Sequence, residues 1–272
     1  MKKYGMTIFF TVIFFVGLCL LLYPTVSNWW NNRNQSRAIS TYFENVETLD
    51  QSKIDDLMEK ARQFNDRIKT SNGVQYITSD MQKEYYKLLD ISGTGVMAYI
   101  EIPGINVSLP VYHGVSDSVL QVAVGHIDWT SLPVGGASSH SVLSGHRGLP
   151  SAKLFTNLDK LSTGDIFIIN ILKETLTYQV DQILIVEPDD VDSLKIVEGK
   201  DYCTLVTCTP YGVNSHRLLV RGHRIANIEE SPVIHVINEA GIIDNLIVAS
   251  FLAVPMVFAL FIYIMIKYRK KK

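Results

Sequence analysis

A cysteine, an arginine nine residues after it and a histidine set between glycines are the residues of this chain whose types suit acyl transfer. The cysteine is Cys208, in the run Thr204-Leu205-Val206-Thr207-Cys208-Thr209-Pro210-Tyr211-Gly212. The apolar part reads as a strand and Pro210 and Gly212 end it, so Cys208 falls at or just past a strand end, where a pocket can open. The chain then returns as His216-Arg217-Leu218-Leu219-Val220-Arg221. If the two strands pair, the hairpin brings Arg217 beside Cys208. A guanidinium there would favour the thiolate and donate hydrogen bonds to the oxyanion formed when a carbonyl is attacked. Arg221, on the same face of the returning strand, competes for that role. The remaining need is a proton carrier, for which histidine is best suited near neutral pH. Among seven histidines, His146 stands out. It sits between Gly145 and Arg147-Gly148, directly after the apolar pair Val142-Leu143.

The other cysteines do not offer Cys208 a disulfide. Cys19 lies in an apolar N-terminal segment, and Cys203 is five residues away in the same strand, where an odd separation turns side chains to opposite faces. Cys203 reads as a small core residue. An unpaired thiol outside the cell is open to oxidation unless something uses it. His113, His126, His140, His223 and His235 lack metal-ligand spacing, His216 faces away from Arg217, and the acidic run Glu187-Pro188-Asp189-Asp190 lacks the alternation of a calcium loop. No zinc, calcium or other cofactor is expected.

The elements that must position these residues begin at a membrane. Thr7 to Tyr23 is uncharged and follows Lys2 and Lys3, with Trp29 and Trp30 beyond it. It reads as a retained anchor, with no small-x-small cleavage site after it. Leu246 to Ile266 is long enough for a second span, and the cations Lys267, Arg269, Lys270, Lys271 and Lys272 follow. Basic flanks on both spans place both termini in the cytoplasm and the intervening region outside. Setting aside those seven flank cations leaves 18 Lys and Arg against 27 Asp and Glu, a formal charge near −9. That charge argues against a nucleic-acid partner.

Between the spans, apolar residues from Ile39 to Ile68 recur at helical spacing, predicting one or two amphipathic helices between about Ser27 and Lys69. A short helix is expected around Ser79 to Asp90, capped by Ser79 or Asp80. From Gly95 the pattern turns to short β-rich runs: Val96 to Ile102, Val107 to Val111, Val119 to Val124, Ser141 to Ser144, Asp165 to Ile171, Thr175 to Ile185, Cys203 to Cys208 and Arg217 to Ile225. Ala152 to Leu161 interrupts them with helical spacing. The expectation is an all-β domain, closed or sandwiched.

The segment LVTCTPYGVNSHRLLVRGHR resembles the signature of the sortase family, with the pattern TLxTC at the cysteine and an arginine nine residues on. The stretch TSLPVGGASSHSVLSGHRGLPSAKLFTNLDKLSTGD is similar to the matching part of class C, pilus-building sortases. The likeness covers about Val96 to Ile225, and two separated motifs agree in order and spacing. Two terminal membrane segments also suit class C. The resemblance implies a closed eight-stranded sortase β-barrel with N-terminal helices and flanking transmembrane helices. It also implies a site of Cys208 as nucleophile, His146 as proton donor and acceptor, and Arg217 as oxyanion stabiliser.

On this resemblance the chain divides into an anchor (1–23), an extracytoplasmic helical region (24–94), the catalytic barrel (95–230), a juxtamembrane linker (231–245), a second span (246–266) and a basic cytoplasmic tail (267–272). The implied reaction cleaves an LPXTG-like sorting signal between Thr and Gly through a thioacyl enzyme. The acyl group passes to a Lys amine of a pilin subunit, the alternative being a sortase that anchors proteins to peptidoglycan. Many pilus sortases carry an Asp-Pro-aromatic lid over the cysteine. The corresponding stretch here, SNGVQYITSD from Ser71 to Asp80, lacks that triplet and leaves Tyr76 as the only aromatic, so a more open Cys208 is expected.

Overall fold

Three helices precede the β-rich part: α1 (Gly5–Glu47), α2 (Gln51–Thr70) and α3 (Ser79–Tyr85); a single-turn α4 (Asp117–Leu120) falls within it. The runs of β-branched and aromatic residues fold as eight strands: β1 (Val96–Ile102), β2 (Val107–His113), β3 (Val124–His126), β4 (Ser139–Ser144), β5 (Ile166–Ile171), β6 (Glu174–Val186), β7 (Asp201–Thr209) and β8 (His216–Arg224). In this computed structural model, which describes residues 5–70, 77–227 and 258, the strands pair in the order β1-β2-β3-β4-β7-β8-β6-β5. Pairing of β1 with β5 closes the barrel. Two of the pairings, β2 with β3 and β4 with β7, are parallel.

The expected strands recur with small shifts at their ends, except Val119 to Val124. There α4 occupies the first part and β3 only the last, because Val119, Val122 and Ala123 are spaced for a helical turn and Ala123 N donates to Val119 O at 2.9 Å. Ala152 to Leu161 is mostly turns, with one 3₁₀ turn at Leu158–Lys160. The cap of α3 is Thr78, whose hydroxyl accepts from Met81 N at 3.3 Å.

The helices dock on the barrel through apolar stripes and a few buried polar pegs. On α2 the buried residues are Ile54, Met58, Ala61, Phe64, Asn65 and Ile68, one face at helical spacing. Asn65 satisfies both polar groups of its amide on Leu132, donating to its carbonyl at 3.0 Å and accepting from its N–H at 2.7 Å. Tyr42 of α1 donates to Met97 O at 3.0 Å and accepts from Leu172 N at 2.7 Å.

α1 runs unbroken through Pro24, so the apolar segment and the first barrel-docking helix are one rod. Phe9, Phe10, Val12, Val16, Leu20 and Leu21 are exposed along it, and by length and composition this helix could cross a membrane. The expected linker 231–245, the second span, the tail and the lid stretch from Ser71 to Tyr76 lie outside the described residues, apart from Phe258.

Candidate active site

Two strand pairings bring the three candidate residues level. β7 and β8 are antiparallel, with Cys208 directly opposite Arg217. β4 runs parallel to β7, with Ser144 opposite Val206. The chain stays alongside β7 past the end of β4: Gly145 N donates to Val206 O at 3.0 Å, and Thr207 Oγ1 donates to Gly145 O at 2.7 Å. Two residues beyond Ser144 and Val206, His146 and Cys208 therefore occupy the same level. Adjacent strands lie about 4.8 Å apart and residues at one level project from the same face. Cys208 and Arg217 thus pair across β7 and β8, and continuing the β4–β7 register two residues past Ser144 brings His146 level with them on the other side of the thiol.

That row stands on the outer wall of the barrel. Cys203 and Leu205 point into the main core, and the alternation of β7 sends Val206 and Cys208 the other way. Val206 belongs to a second apolar cluster with Val142, Leu194 and Leu219, edged by Trp129, Ile127, Leu184, Val186 and Val191. This patch forms an apolar floor running up to Cys208. The connection between β6 and β7 folds over it and inserts Leu194. His140 pins that connection from below: its Nδ1–H donates to Lys195 O at 3.0 Å, and its Nε2 accepts from the Thr204 hydroxyl at 2.7 Å. Burial lowers the His140 pKa to about 4, which keeps the ring neutral.

Cys208 and Arg217 are half-buried, as is His146. Arg217 Nη1 donates to the carbonyls of Asn214 at 3.3 Å and His216 at 3.2 Å. Among the described residues no carboxylate lies within ion-pair distance of it, so its charge stays available to an anion beside the thiol. The rival Arg221 is committed elsewhere. It forms a two-point bond to Asp181, at 2.9 and 3.1 Å, and stacks 4.2 Å above the Tyr202 ring.

Of the other described histidines, none shares the row. His126 is fully buried against Tyr85, and burial lowers its pKa to about 3. His113 bonds the carbonyls of Gly95 and Leu88, and His216 pairs with Glu187 at 3.2 Å. Cys203 is 0% exposed and burial pushes its thiol up, as befits an inert core residue. Among the described residues no group of three His, Cys, Asp or Glu is placed to hold a metal ion.

Arg147 was not singled out by the sequence, although it follows His146 directly. Its guanidinium is 2.5 Å from Asp159, donates to Thr209 Oγ1 at 3.3 Å and lies 5.8 Å from the Tyr211 ring centroid. The turn beneath it is tight. Phe155 N donates to His146 O at 3.1 Å, and a side chain at Gly145 would meet the Phe155 ring at 2.7 Å, so only glycine fits there.

A half-buried thiol flanked by an imidazole and a guanidinium on the wall of a closed barrel is the build of a cysteine enzyme. Comparison with known proteins places it further. A family model, the sortase domain, matches residues 100–225. The crystal structure of sortase C1 from Streptococcus agalactiae is 54% identical, with a TM-score of 0.69 over 71% of this chain and 100% of that one. A sortase C from Streptococcus pneumoniae, described for its bearing on catalysis and pilin substrate specificity, is 42% identical with a TM-score of 0.63, covering 70% of this chain and 97% of that one. Sortase D of Bacillus subtilis is 30% identical over 46% of this chain, which spans 62% of that relative's length. The chain belongs to the sortase family, whose members are cysteine transpeptidases, and its structural neighbours are of class C.

Proposed function

We propose that this chain polymerises pilins, transferring the acyl part of an LPXTG-like sorting signal to a Lys amine of another pilin. The observation that carries the reading is the level row of His146, Cys208 and Arg217 at the end of an apolar floor. The Cys208 thiolate attacks the Thr carbonyl of the signal, and the oxyanion that forms accepts hydrogen bonds from Arg217. The Thr–Gly bond breaks as His146 gives its proton to the leaving Gly amine, leaving a thioester on Cys208. His146 then takes a proton from the incoming Lys amine, which attacks the thioester, forms the isopeptide bond and releases the thiolate.

The class C character of the structural neighbours supports a pilin substrate, as does the interest of the pneumococcal sortase C for pilin specificity. The basic flanks at Lys2/Lys3 and Lys267 to Lys272 support two spans with the barrel outside the cell and both termini inside. The nearest other reading is a sortase that anchors proteins to peptidoglycan.

Cells making the full chain with its pilin should show a ladder of high-molecular-weight polymer that Cys208→Ala abolishes. A ladder that survives this change removes Cys208 as nucleophile. Incubating the enzyme with a sorting peptide and either a pilin or a cell-wall amine separates the two acceptor readings by which product forms.

A further inference from the structure

We propose that Arg147 is the positioning residue that holds His146 level with Cys208, a role that rests on the reading of the site given above. The argument starts from a weakness in the fold. β4 ends at Ser144, so His146 lies two residues past the last ladder pair, in a loop that could drift away from β7. Gly145 is still tied to β7, through Val206 O and the Thr207 hydroxyl, and beyond it the side chain of Arg147 continues the link. Arg147 Nη1 donates to the hydroxyl of Thr209, the residue after Cys208, at 3.3 Å. The residue after the histidine is therefore tied to the residue after the nucleophile, one level above the catalytic row.

The same guanidinium is braced from two further sides. Its Nη2 meets Asp159 at 2.5 Å, with the arginine side chain only 9% exposed. Asp159 sits on the 3₁₀ turn that begins at Leu158, itself fully buried in the core, so the backbone that carries the carboxylate is anchored to the barrel. On the remaining side lies the ring of Tyr211, in the turn that leads to Arg217, at 5.8 Å. Tyr211 approaches so closely that a side chain at Gly148 would meet its ring at 3.0 Å. One planar cation thus touches segments leading to all three members of the row.

Two features separate this from an ordinary surface ion pair. In a surface pair both side chains are exposed, whereas this arginine side chain is only 9% exposed, against 45% for Asp159. Its Nε is buried and meets no hydrogen-bond partner among the described residues. Burying a cation with an unsatisfied donor is unfavourable for folding, which points to a role beyond stability. The fork geometry also matters, because carboxylate and hydroxyl are held by different nitrogens of one rigid plane. A lysine ammonium on a flexible stem does not reproduce that.

The test measures acylation of the full-length enzyme in detergent by a sorting peptide, across pH, for wild type, Arg147→Lys, Arg147→Ala, Thr209→Val and His146→Ala. Misplacing a proton carrier by about 1 Å costs on the order of a hundredfold in rate. Arg147→Ala should therefore lower kcat by about that factor with KM little changed, and should alter the pH profile set by His146. Arg147→Lys should recover only part of the loss, and Thr209→Val should reproduce part of it in a chain that keeps the arginine and its tie to Asp159. If Arg147→Ala does not fold, the lysine and valine variants decide. Full activity with an unchanged pH profile in Arg147→Lys and Thr209→Val overturns the proposal, since a charge alone would then suffice. An active His146→Ala enzyme would instead show that the reading of the site itself fails.

Discussion

Arg217 and Arg221 share one face of β8 and differ in what already holds them. Arg221 is held by Asp181, which occupies the irregularity between Val180 and Gln182 in the β6–β8 ladder. An extra residue in one strand re-aims a side chain, and here it delivers a carboxylate to Arg221. Among the described residues Arg217 meets only backbone carbonyls. Arg217→Ala should therefore lower the rate of acylation by about a hundredfold or more, as expected for loss of an oxyanion donor, with little change in stability. Arg221→Ala should do the reverse, costing about 2 kcal/mol of stability in denaturant titration while acylation continues. Equal losses of rate in both variants would break the distinction. The sequence showed both arginines on the face of Cys208, and the motif spacing favoured Arg217. What it could not show was why Arg221 is excluded, because the bulge at Asp181 leaves no mark in a pattern of alternating residues.

At the scale of elements, the decisive piece is the parallel pairing of β4 with β7. A hairpin is legible in sequence because its strands are neighbours along the chain, so the placing of Arg217 beside Cys208 followed from turn residues alone. The parallel partner of β7 lies some sixty residues earlier, and no local signal names it; His146 was reached through its glycine-flanked loop and the family likeness. The misread strand at Val119 to Val124 has a similar cause, since a single helical turn is too short to express its period. Another contact between elements was invisible for the same reason. The loop after His146 is strapped to α1: Asn31 Nδ2 donates to Ser151 O at 2.8 Å, and Lys153 N donates to Asn28 Oδ1 at 3.0 Å. Asn28 is five residues beyond Tyr23, roughly 7.5 Å along the helix, so the loop after His146 is fastened to the rod just where its apolar stretch ends. Replacing both asparagines by alanine removes two hydrogen bonds of about 1 kcal/mol each. Acylation should fall several-fold in the full-length enzyme while the thiol of Cys208 still reacts with a methanethiosulfonate reagent. Unchanged acylation would show that the strap is mechanical only.

Across the whole molecule, the helical region and the cover of the apolar floor are both fastened by buried neutral histidines. His126 accepts the Tyr85 hydroxyl of α3 at its Nδ1, 3.0 Å away, and donates from Nε2 to Ser131 O at 2.8 Å; His113 also bears on its charge. His140 holds Lys195, with Arg221 and Asp181 as the nearest charges. Burial lowers their pKa values from 6.5 to about 3 and about 4 respectively. A histidine depressed in the folded state is protonated first in the unfolded chain. The stability it contributes is therefore complete above the unfolded value and is lost as pH falls from about 6.5 towards 4 for His140 and towards 3 for His126. Well below 6.5 each should remove roughly 1.4 kcal/mol per pH unit. The carboxylates of buried Glu101 and half-buried Asp201 oppose this trend, because burial raises their pKa values and the folded state then holds a proton more readily than the unfolded one. The descent below about pH 6.5 is therefore the loss from the histidines less the gain from those carboxylates. Urea titrations at steps through that range should show stability dropping by a few kcal/mol. Replacing His140 by glutamine, which keeps a donor near Lys195 and cannot titrate, should reduce the slope by about half. A slope from pH 7 to pH 5 that His140→Gln leaves unchanged would mean that this ring is not held neutral in the fold, and that the floor's cover is fastened by something else.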